Sequence, residues 1–428
     1  MHDGIGCYST YFSYTNRPSQ YYLPDDRLGS PSFQQACLAG LVSDFGSNLV
    51  ECNRMEGHSF NRVRVRLASL RHNYSVMVNA VGGLVPVMAM VKADAYGHGM
   101  IRSAMAFYES GCRHFGVAEL GEGIRLRQAG ILGQIYVTIG FDVADADLFF
   151  IHELTPVIYD ISHVEALARA AHTRGVKIGV HLKVDTGMSR LGIFPADVPL
   201  FCDKVKTFGN VEVRGVMSHF PAADDPQAGS TADALTKFLP VCHELQERSD
   251  VACHIANSGG VLNFPTTHCD MVRAGIALYG YEPSGIPKAN QLSAELQPAM
   301  SCTTRLLQVK QLPAGAGVSY GHTYRTDKPM TIGVIPIGYE DGFNRGLSNR
   351  GEVLVGGHQA GVIGRICMNM CMIDLARAPR AKAGDEVVIL GRQADKLITA
   401  DDIAAKIGTI SYEVLCQLGN NNEREYIE

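Results

Sequence analysis

Over 428 residues, charged side chains make up only 19% and the hydrophobic set 46%, a balance that excludes a chain disordered throughout and predicts two or three domains with sizeable cores. Lysine and arginine number 38 against 43 acidic residues, for a net charge of −5, and no long basic run accompanies them. Nucleic acid is thereby excluded as the main partner.

In chain order, residues 1–58 carry several tyrosines, glycines and prolines but hold no helical or strand period, and read as an N-terminal extension, partly disordered or draped over the body. The opening Met1-His2-Asp3-Gly4 has neither a basic nor an apolar region of a secretory signal, so a cytoplasmic location is the default expectation. The longest apolar stretch, Val76 to Val91, is broken by Asn79, Pro86 and two glycines, and predicts no membrane span. Twelve cysteines without a Cys-x-x-Cys pair suit a reduced compartment and read mostly as small buried hydrophobes. Cys367 and Cys371, the closest pair, are a poor basis for a metal site, and no metal is predicted.

From Asn61 a regular apolar pattern begins with Val63, Val65, Leu67, Leu70 and Tyr74, and the first folded domain is placed at 59–290. Eight strand-like runs follow, at Pro86–Val91, His114–Ala118, Gln134–Ile139, Pro156–Tyr159, Lys177–Val184, Val213–Ser218, Ala252–Ala256 and Met271–Ala274. Helical segments lie between most of them, three closed by Gly111, Gly130 and Gly175 in the left-handed position after a helix. Short buried strands alternating with helices predict parallel pairing and an α/β fold, a (β/α)8 TIM-like barrel with its chemistry at the C-terminal strand ends. The rival, a doubly wound sheet, would usually show a glycine fingerprint after its first strand; here that strand ends Val91-Lys92-Ala93-Asp94. After about Tyr281, Gly-rich punctuation separates Cys302–Val309, Thr331–Ile337, Glu352–Val355, Gly361–Arg365, Met370–Asp374 and Glu386–Leu390, which predict a mainly β C-terminal domain at 291–428.

Polar residues cluster at the predicted strand ends. Lys92 follows an apolar run, where burial disfavours the ammonium and frees an amine able to condense with a carbonyl; the plainer reading is a lysine snorkelling from a strand end. The fifth strand carries Lys183 near its end and delivers Arg190, His219 follows the sixth, Asn257 and Ser258 the seventh, and the eighth carries Arg273 before Gly275 and Ile276. Singly, His219 and Arg273 are more often structural; their convergence on one rim favours function. Glycines and hydroxyls near Ser258, Gly275 and Ile276 offer N–H groups to a phosphate, and a phosphate site beside an amine-bearing lysine points to pyridoxal 5'-phosphate.

These residues stand in ordered motifs: Val-Lys-Ala-Asp-Ala-Tyr-Gly-His-Gly around Lys92, Lys-Val-Asp-Thr-Gly-Met-Ser-Arg-Leu-Gly at 183–192, Ser-His-Phe at 218–220, Ala-Asn-Ser at 256–258 and Val-Arg-Ala-Gly-Ile-Ala-Leu-Tyr-Gly at 272–280. Val-Ser-Tyr-Gly at 318–321, Ile-Gly-Tyr-Glu-Asp-Gly at 337–342, Gly-Arg-Ile-Cys-Met-Asn at 364–369 and Ser-Tyr-Glu at 411–413 continue them. From about residue 62 to Cys416 the chain resembles the alanine racemase family of barrel-type pyridoxal-phosphate enzymes. The resemblance implies racemisation of L-alanine to D-alanine for peptidoglycan, with Lys92 holding the cofactor and acting as base on one face of the substrate Cα and Tyr320 on the other. It implies cofactor contacts from Tyr96, Arg190, His219, Asn257, Ser258, Arg273, Gly275, Ile276 and Tyr412, and substrate-carboxylate contacts from Arg190 and the Met368 N–H. It also implies a homodimer in which Tyr320 and Met368 complete the partner's active site, and an entry corridor of Asp224, Tyr339, Arg345 and Arg365, with Ala222 and Ile410 beside it, suited to a small amino acid. Lys183 resembles the lysine that is carbamylated in many members; a plain ammonium paired with Asp185 is the alternative.

Two departures stand out. Asn369 replaces the family's usual aspartate, which keeps open a serine or broad-specificity racemase on the same scaffold; a non-catalytic pyridoxal-phosphate carrier would lack the second domain. The C-terminal segment 419–428 lacks the usual Ser-Arg-Val-Pro-Arg ending, leaving the support of the Tyr412 region open.

Overall fold

The computed structural model describes residues 59–83, 85–284 and 292–428. The predicted extension at 1–58 and the predicted domain junction at 290/291 lie outside them. There are eight parallel strands, Val87–Met90, His114–Val117, Gln134–Val137, Thr155–Ile158, Ile178–Lys183, Val211–Met217, Ala252–His254 and Val272–Ala274; the first seven pair in chain order, and the first also pairs with the eighth through Val87↔Val272. Between the seventh and eighth strands Asp270 N donates to Cys253 O and Arg273 N to Ala256 O, each at 2.9 Å, so the ring closes. All eight predicted runs are strands, and apart from the exposed Gln134 and Arg214 their residues are buried or half-buried because helices cover the outside. The three helix-closing glycines carry φ of +96°, +87° and +65° at Gly111, Gly130 and Gly175, as expected of residues that must turn the chain away from a helix end.

Methionines and polar rings share the barrel interior. Gly116 admits Met90, since a Cβ there would stand 2.3 Å from its sulfur, and Gly215 admits the His181 ring, which a Cβ would meet at 2.2 Å. The interior is thus filled by large groups from one strand opposite a glycine on the next, leaving no open pore.

The second sheet runs in the order Gln308–Leu312, Met330–Ile335, Cys371–Asp374, His358–Ile363, Glu352–Val355, Glu386–Gln393, Met300–Arg305, Arg62–Arg66, Arg424–Ile427. Residues 62–66, which the sequence pattern assigned to the start of the barrel domain, belong here instead. They pair antiparallel with Met300–Arg305 and parallel with Arg424–Ile427. Val63 and Val65 are fully buried while Arg62 and Arg66 are exposed, the alternation of a strand with one solvated face. The predicted run Cys302–Val309 is two strands, turning at Leu306-Leu307. Helices Ala400–Ile407 and Ser411–Asn420 complete the C-terminal part, the second lying against the segment 92–96 of the barrel rim. Among the described residues no helix is long and apolar enough to cross a membrane.

Candidate active site

Lys92 leaves the first barrel strand and enters a turn in which Ala93, Asp94, Ala95 and Tyr96 all have φ between +52° and +55°. A run of four non-glycine residues in left-handed conformation costs roughly 1–2 kcal/mol each, so the surrounding structure must hold it. Glu122 accepts the Ala93 N–H at 2.8 Å, while its other oxygen accepts Ala118 N and Glu119 N. Asp94 accepts Met100 N at 2.7 Å, and the His98 ring meets the Ala95 and Tyr96 carbonyls at 3.1 and 3.0 Å. Burial first, then the Arg190 guanidinium, hold the Lys92 ammonium below its ordinary range, with Glu122 opposing. The lysine is therefore biased toward the free amine.

At the centre of the rim Arg273 is 3% exposed. Its guanidinium donates to the carbonyls of Ser218, His254 and Ile255 and to His254 Nδ1 at 3.0 Å, and lies 3.3 Å from His219 Nδ1. Arginine only donates, so His254 carries its proton on Nε2 and passes it toward His181 Nδ1 at 2.8 Å. The rings must be neutral for this chain to hold. Desolvation, followed by the Arg273 charge at His219 and His254, keeps both well below the ordinary histidine value; desolvation lowers His181 and His98 to about 4.

A pH dependence of stability follows from the sign of those shifts. Between about 6.5 and 4 the unfolded chain takes up protons on His98 and His181 that the folded chain refuses. Stability should therefore be full above about pH 6.5 and fall toward pH 4, by roughly 3 kcal/mol for each such histidine. Urea unfolding at pH 7.5 and 4.5 measures this, and a flat profile would mean that the rings are charged in the fold.

Beyond the seventh and eighth strands, Ser258 Oγ accepts Gly275 N at 2.8 Å and Ala277 N at 3.4 Å, and Asn257 accepts Gly260 N at 3.0 Å as the cap of a short helix. Tyr96 closes this cradle: a Cβ at Gly275 would stand 2.6 Å from its hydroxyl. The Tyr412 ring lies beside Tyr96, its centroid 5.9 Å away and its plane tilted by 52°. Lys92, Tyr96, Lys183, Arg190, His219, Asn257, Ser258, Arg273, Gly275, Ile276, Tyr412 and Asp224 line one cavity of ≈ 570 Å³ with Ile410 at its edge. N–H groups, hydroxyls and an excess of cations fit a phosphorylated, anionic carbonyl cofactor.

Lys183 is buried, and among the described residues no ion pair joins it to Asp185. Asp185 instead accepts Gly187 N and Ser189 N at 2.9 and 3.0 Å, shaping the loop that carries Arg190. With Arg273 and Arg190 nearby, burial drives the Lys183 amine well below its ordinary range.

Tyr320, Met368, Tyr339, Arg345 and Arg365 do not line this cavity. Tyr320, Met368 and Tyr339 are 70%, 54% and 41% exposed on the C-terminal part. They are nevertheless close together: Ser319 Oγ donates to Arg365 O at 2.6 Å, and Tyr339 N and Glu340 N donate to the Cys367 and Met368 carbonyls, both at 3.1 Å. Asn369 donates to the Glu340 carboxylate at 3.0 Å, so the charge the family places at 369 stands one side chain away. Sequence reasoning missed Glu122, His254, His181 as part of a chain, and Arg424. Only Glu122 left a local trace, as the acid three residues into a helix.

A parallel barrel with a desolvated lysine, a cradle of N–H groups and hydroxyls and a buried arginine at its C-terminal mouth fits a barrel enzyme of the pyridoxal-phosphate class. Residues 65–283 match the family described as alanine racemase, N-terminal domain, and residues 299–426 its C-terminal domain. The chain belongs to the alanine racemase family. It is 40% identical over 365 residues, 85% of this chain and 96% of the relative, to alanine racemase of Syntrophobacter fumaroxidans, and 38% identical over 364 residues to that of Halothermothrix orenii, covering 85% and 95%. The crystal structure of alanine racemase from D-cycloserine-producing Streptomyces lavendulae superposes with a TM-score of 0.82 at 34% identity, covering 87% of this chain and 98% of that one. Alanine racemase from Bartonella henselae, solved with covalently bound pyridoxal phosphate, gives 0.78 at 28% identity, covering 86% and 100%.

Proposed function

We propose that this protein interconverts L- and D-alanine with pyridoxal phosphate, using Lys92 as the base on one face of the substrate Cα and Tyr320 of the partner subunit on the other. The observation that carries this reading is the convergence of Lys92, Arg273, Arg190 and the Tyr96–Ser258–Gly275 cradle on one cavity. Bound there, the cofactor supplies the electron sink that acidifies the substrate Cα–H. Lys92 holds the cofactor and, as a free amine, takes or returns the proton on its own face. Arg273 and His219, which line the same cavity, would face the cofactor ring. Tyr96, Ser258, Gly275, Ile276 and Tyr412 hold the phosphate, with Asn257 capping the helix that presents it. Arg190 grips the substrate carboxylate, helped by the N–H of Met368 of the partner subunit. We assign Lys183 as the carbamylated lysine, because a neutral buried amine among cations is the form that adds carbon dioxide and the product would offset those charges.

A reprotonation from the face that lost the proton restores the starting enantiomer, so racemisation needs a second base. In a single chain Tyr320 stands exposed, away from the cavity, which supports a head-to-tail homodimer with shared sites. Asp224, Tyr339, Arg345 and Arg365 would then frame the entry. The product suits peptidoglycan synthesis. The testing experiment is α-proton exchange in heavy water with L-alanine, L-serine and larger L-amino acids, scoring the D-enantiomer. Exchange with inversion for alanine and little for the rest is expected. Comparable turnover of serine would move the assignment to a broad-specificity racemase and make Asn369, with its Glu340 partner, the first residue to revert.

A further inference from the structure

The last strand of the chain reaches the left-handed turn after Lys92. Arg424 Nη2 pairs with Asp94 Oδ2 at 2.5 Å, and Nη1 donates to Gly97 O at 3.1 Å and to Asn420 Oδ1 at 3.4 Å. Both partners are shielded, their side chains 22% and 32% exposed. Asp94 is the residue whose other oxygen caps Met100 N, so one carboxylate ties the turn to the helix behind it and to Arg424.

The neighbouring contacts leave the turn little room. A Cβ at Gly97 would stand 2.4 Å from Leu415 O, one at Gly419 would stand 2.0 Å from Gly97 O, and one at Gly99 would strike the Tyr426 hydroxyl at 1.8 Å. Arg102 lies over the Tyr426 ring at 5.3 Å. Arg424 itself is fixed because its strand pairs with Arg62–Arg66, through Val63↔Arg424 to Arg66↔Ile427. The edge of the C-terminal sheet is thus bolted to the backbone that follows Lys92.

We infer that Arg424 is a positioning residue for Lys92: through Asp94 and the Gly97 carbonyl it holds the strained turn 93–96 in the left-handed form that aims the lysine into the cavity. Asp94 is the second half of the latch. The inference rests on Lys92 being the cofactor lysine. Four residues in an unfavourable conformation relax when their external ties are cut, and a displacement of about 1 Å at a reacting group is enough to cost a large factor in rate.

The test uses the full chain with Arg424→Ala, Arg424→Lys and Asp94→Asn, and Lys92→Ala as a separate control. Hydrogen exchange of the amides of residues 95–100, followed in the protein without added cofactor, reads the turn directly. Arg424→Ala should speed that exchange about tenfold and lower kcat about tenfold while KM for alanine stays within about threefold, as expected when geometry at the reacting centre is lost and binding is kept. Arg424→Lys should restore part of both. Arg424→Ala and Asp94→Asn should be non-additive when combined. Unchanged exchange would overturn the latch, and faster exchange with parental kcat would overturn its role in positioning Lys92. Racemisation surviving in Lys92→Ala would sink the reading of Lys92 instead, and it leaves the exchange result standing as a measure of the turn alone.

Discussion

With Lys92 in the proposed double role of holding the cofactor and serving as a base, replacing it by alanine is expected to lower turnover of both alanine enantiomers by more than about 10⁴-fold. The loss should not be rescued by Lys92→Arg. A guanidinium stays charged at neutral pH, whereas burial and the neighbouring Arg190 charge favour the free amine at Lys92. A small primary amine added to Lys92→Ala should recover a measurable fraction of the rate, since the cavity that loses the side chain keeps its phosphate cradle. The sign of the Lys92 shift also sets a pH effect. Protonation removes the base, so kcat/KM should fall as the pH drops through the lowered lysine value and should be retained below the ordinary range near 10.5. Steady-state rates with L- and D-alanine between pH 6 and 10 measure it, and a rate that rises on acidification would contradict the free-amine reading.

Tyr320→Phe should cut racemisation by about 10³-fold yet leave half of the proton chemistry intact. With only Lys92 able to move a proton, one enantiomer should still exchange its α-hydrogen with heavy water, and with retention. Racemisation has equal amounts of both enantiomers at equilibrium, so kcat/KM must drop equally in both directions even though exchange becomes one-sided. Co-refolding the two inactive chains, Lys92→Ala with Tyr320→Phe, gives a sharper outcome. In a head-to-tail dimer each mixed pair holds one site with neither substitution, and random assortment should recover about one quarter of the parental activity. If Tyr320 served its own barrel, mixing would recover nothing. The exposure of Tyr320 at 70% in the single chain makes the shared site the expected result.

The barrel was legible because its physics is local. Eight apolar runs of strand length, separated by helical periods closed at Gly111, Gly130 and Gly175, leave few alternatives to parallel pairing with chemistry at the strand ends. The candidate site was legible for the same reason: Lys92, Lys183, His219 and Ser258 each stand at or just beyond a strand terminus, Arg273 stands within the short last strand, and strand ends of a closed ring must meet. The strand Arg62–Arg66 was misplaced because its alternation reports one buried face and says nothing about which sheet supplies the cover. Helix Ser411–Asn420 and strand Arg424–Ile427 fell outside the predicted strands, and the departure from the family ending there proved to retain a tie, since Arg424 still reaches Asp94.

By itself the sequence determined the eight barrel strands, the cofactor class and the rim residues, which follow from periodicity and from motifs read within a few residues. Only the tertiary structure decided that the Ala93–Tyr96 turn is left-handed and held by Glu122 and Arg424, and that Arg273 feeds a neutral His254–His181 chain. The reason is that these ties join residues up to hundreds of positions apart. Their energies depend on distance and burial in the folded chain, which no local pattern of residue types encodes.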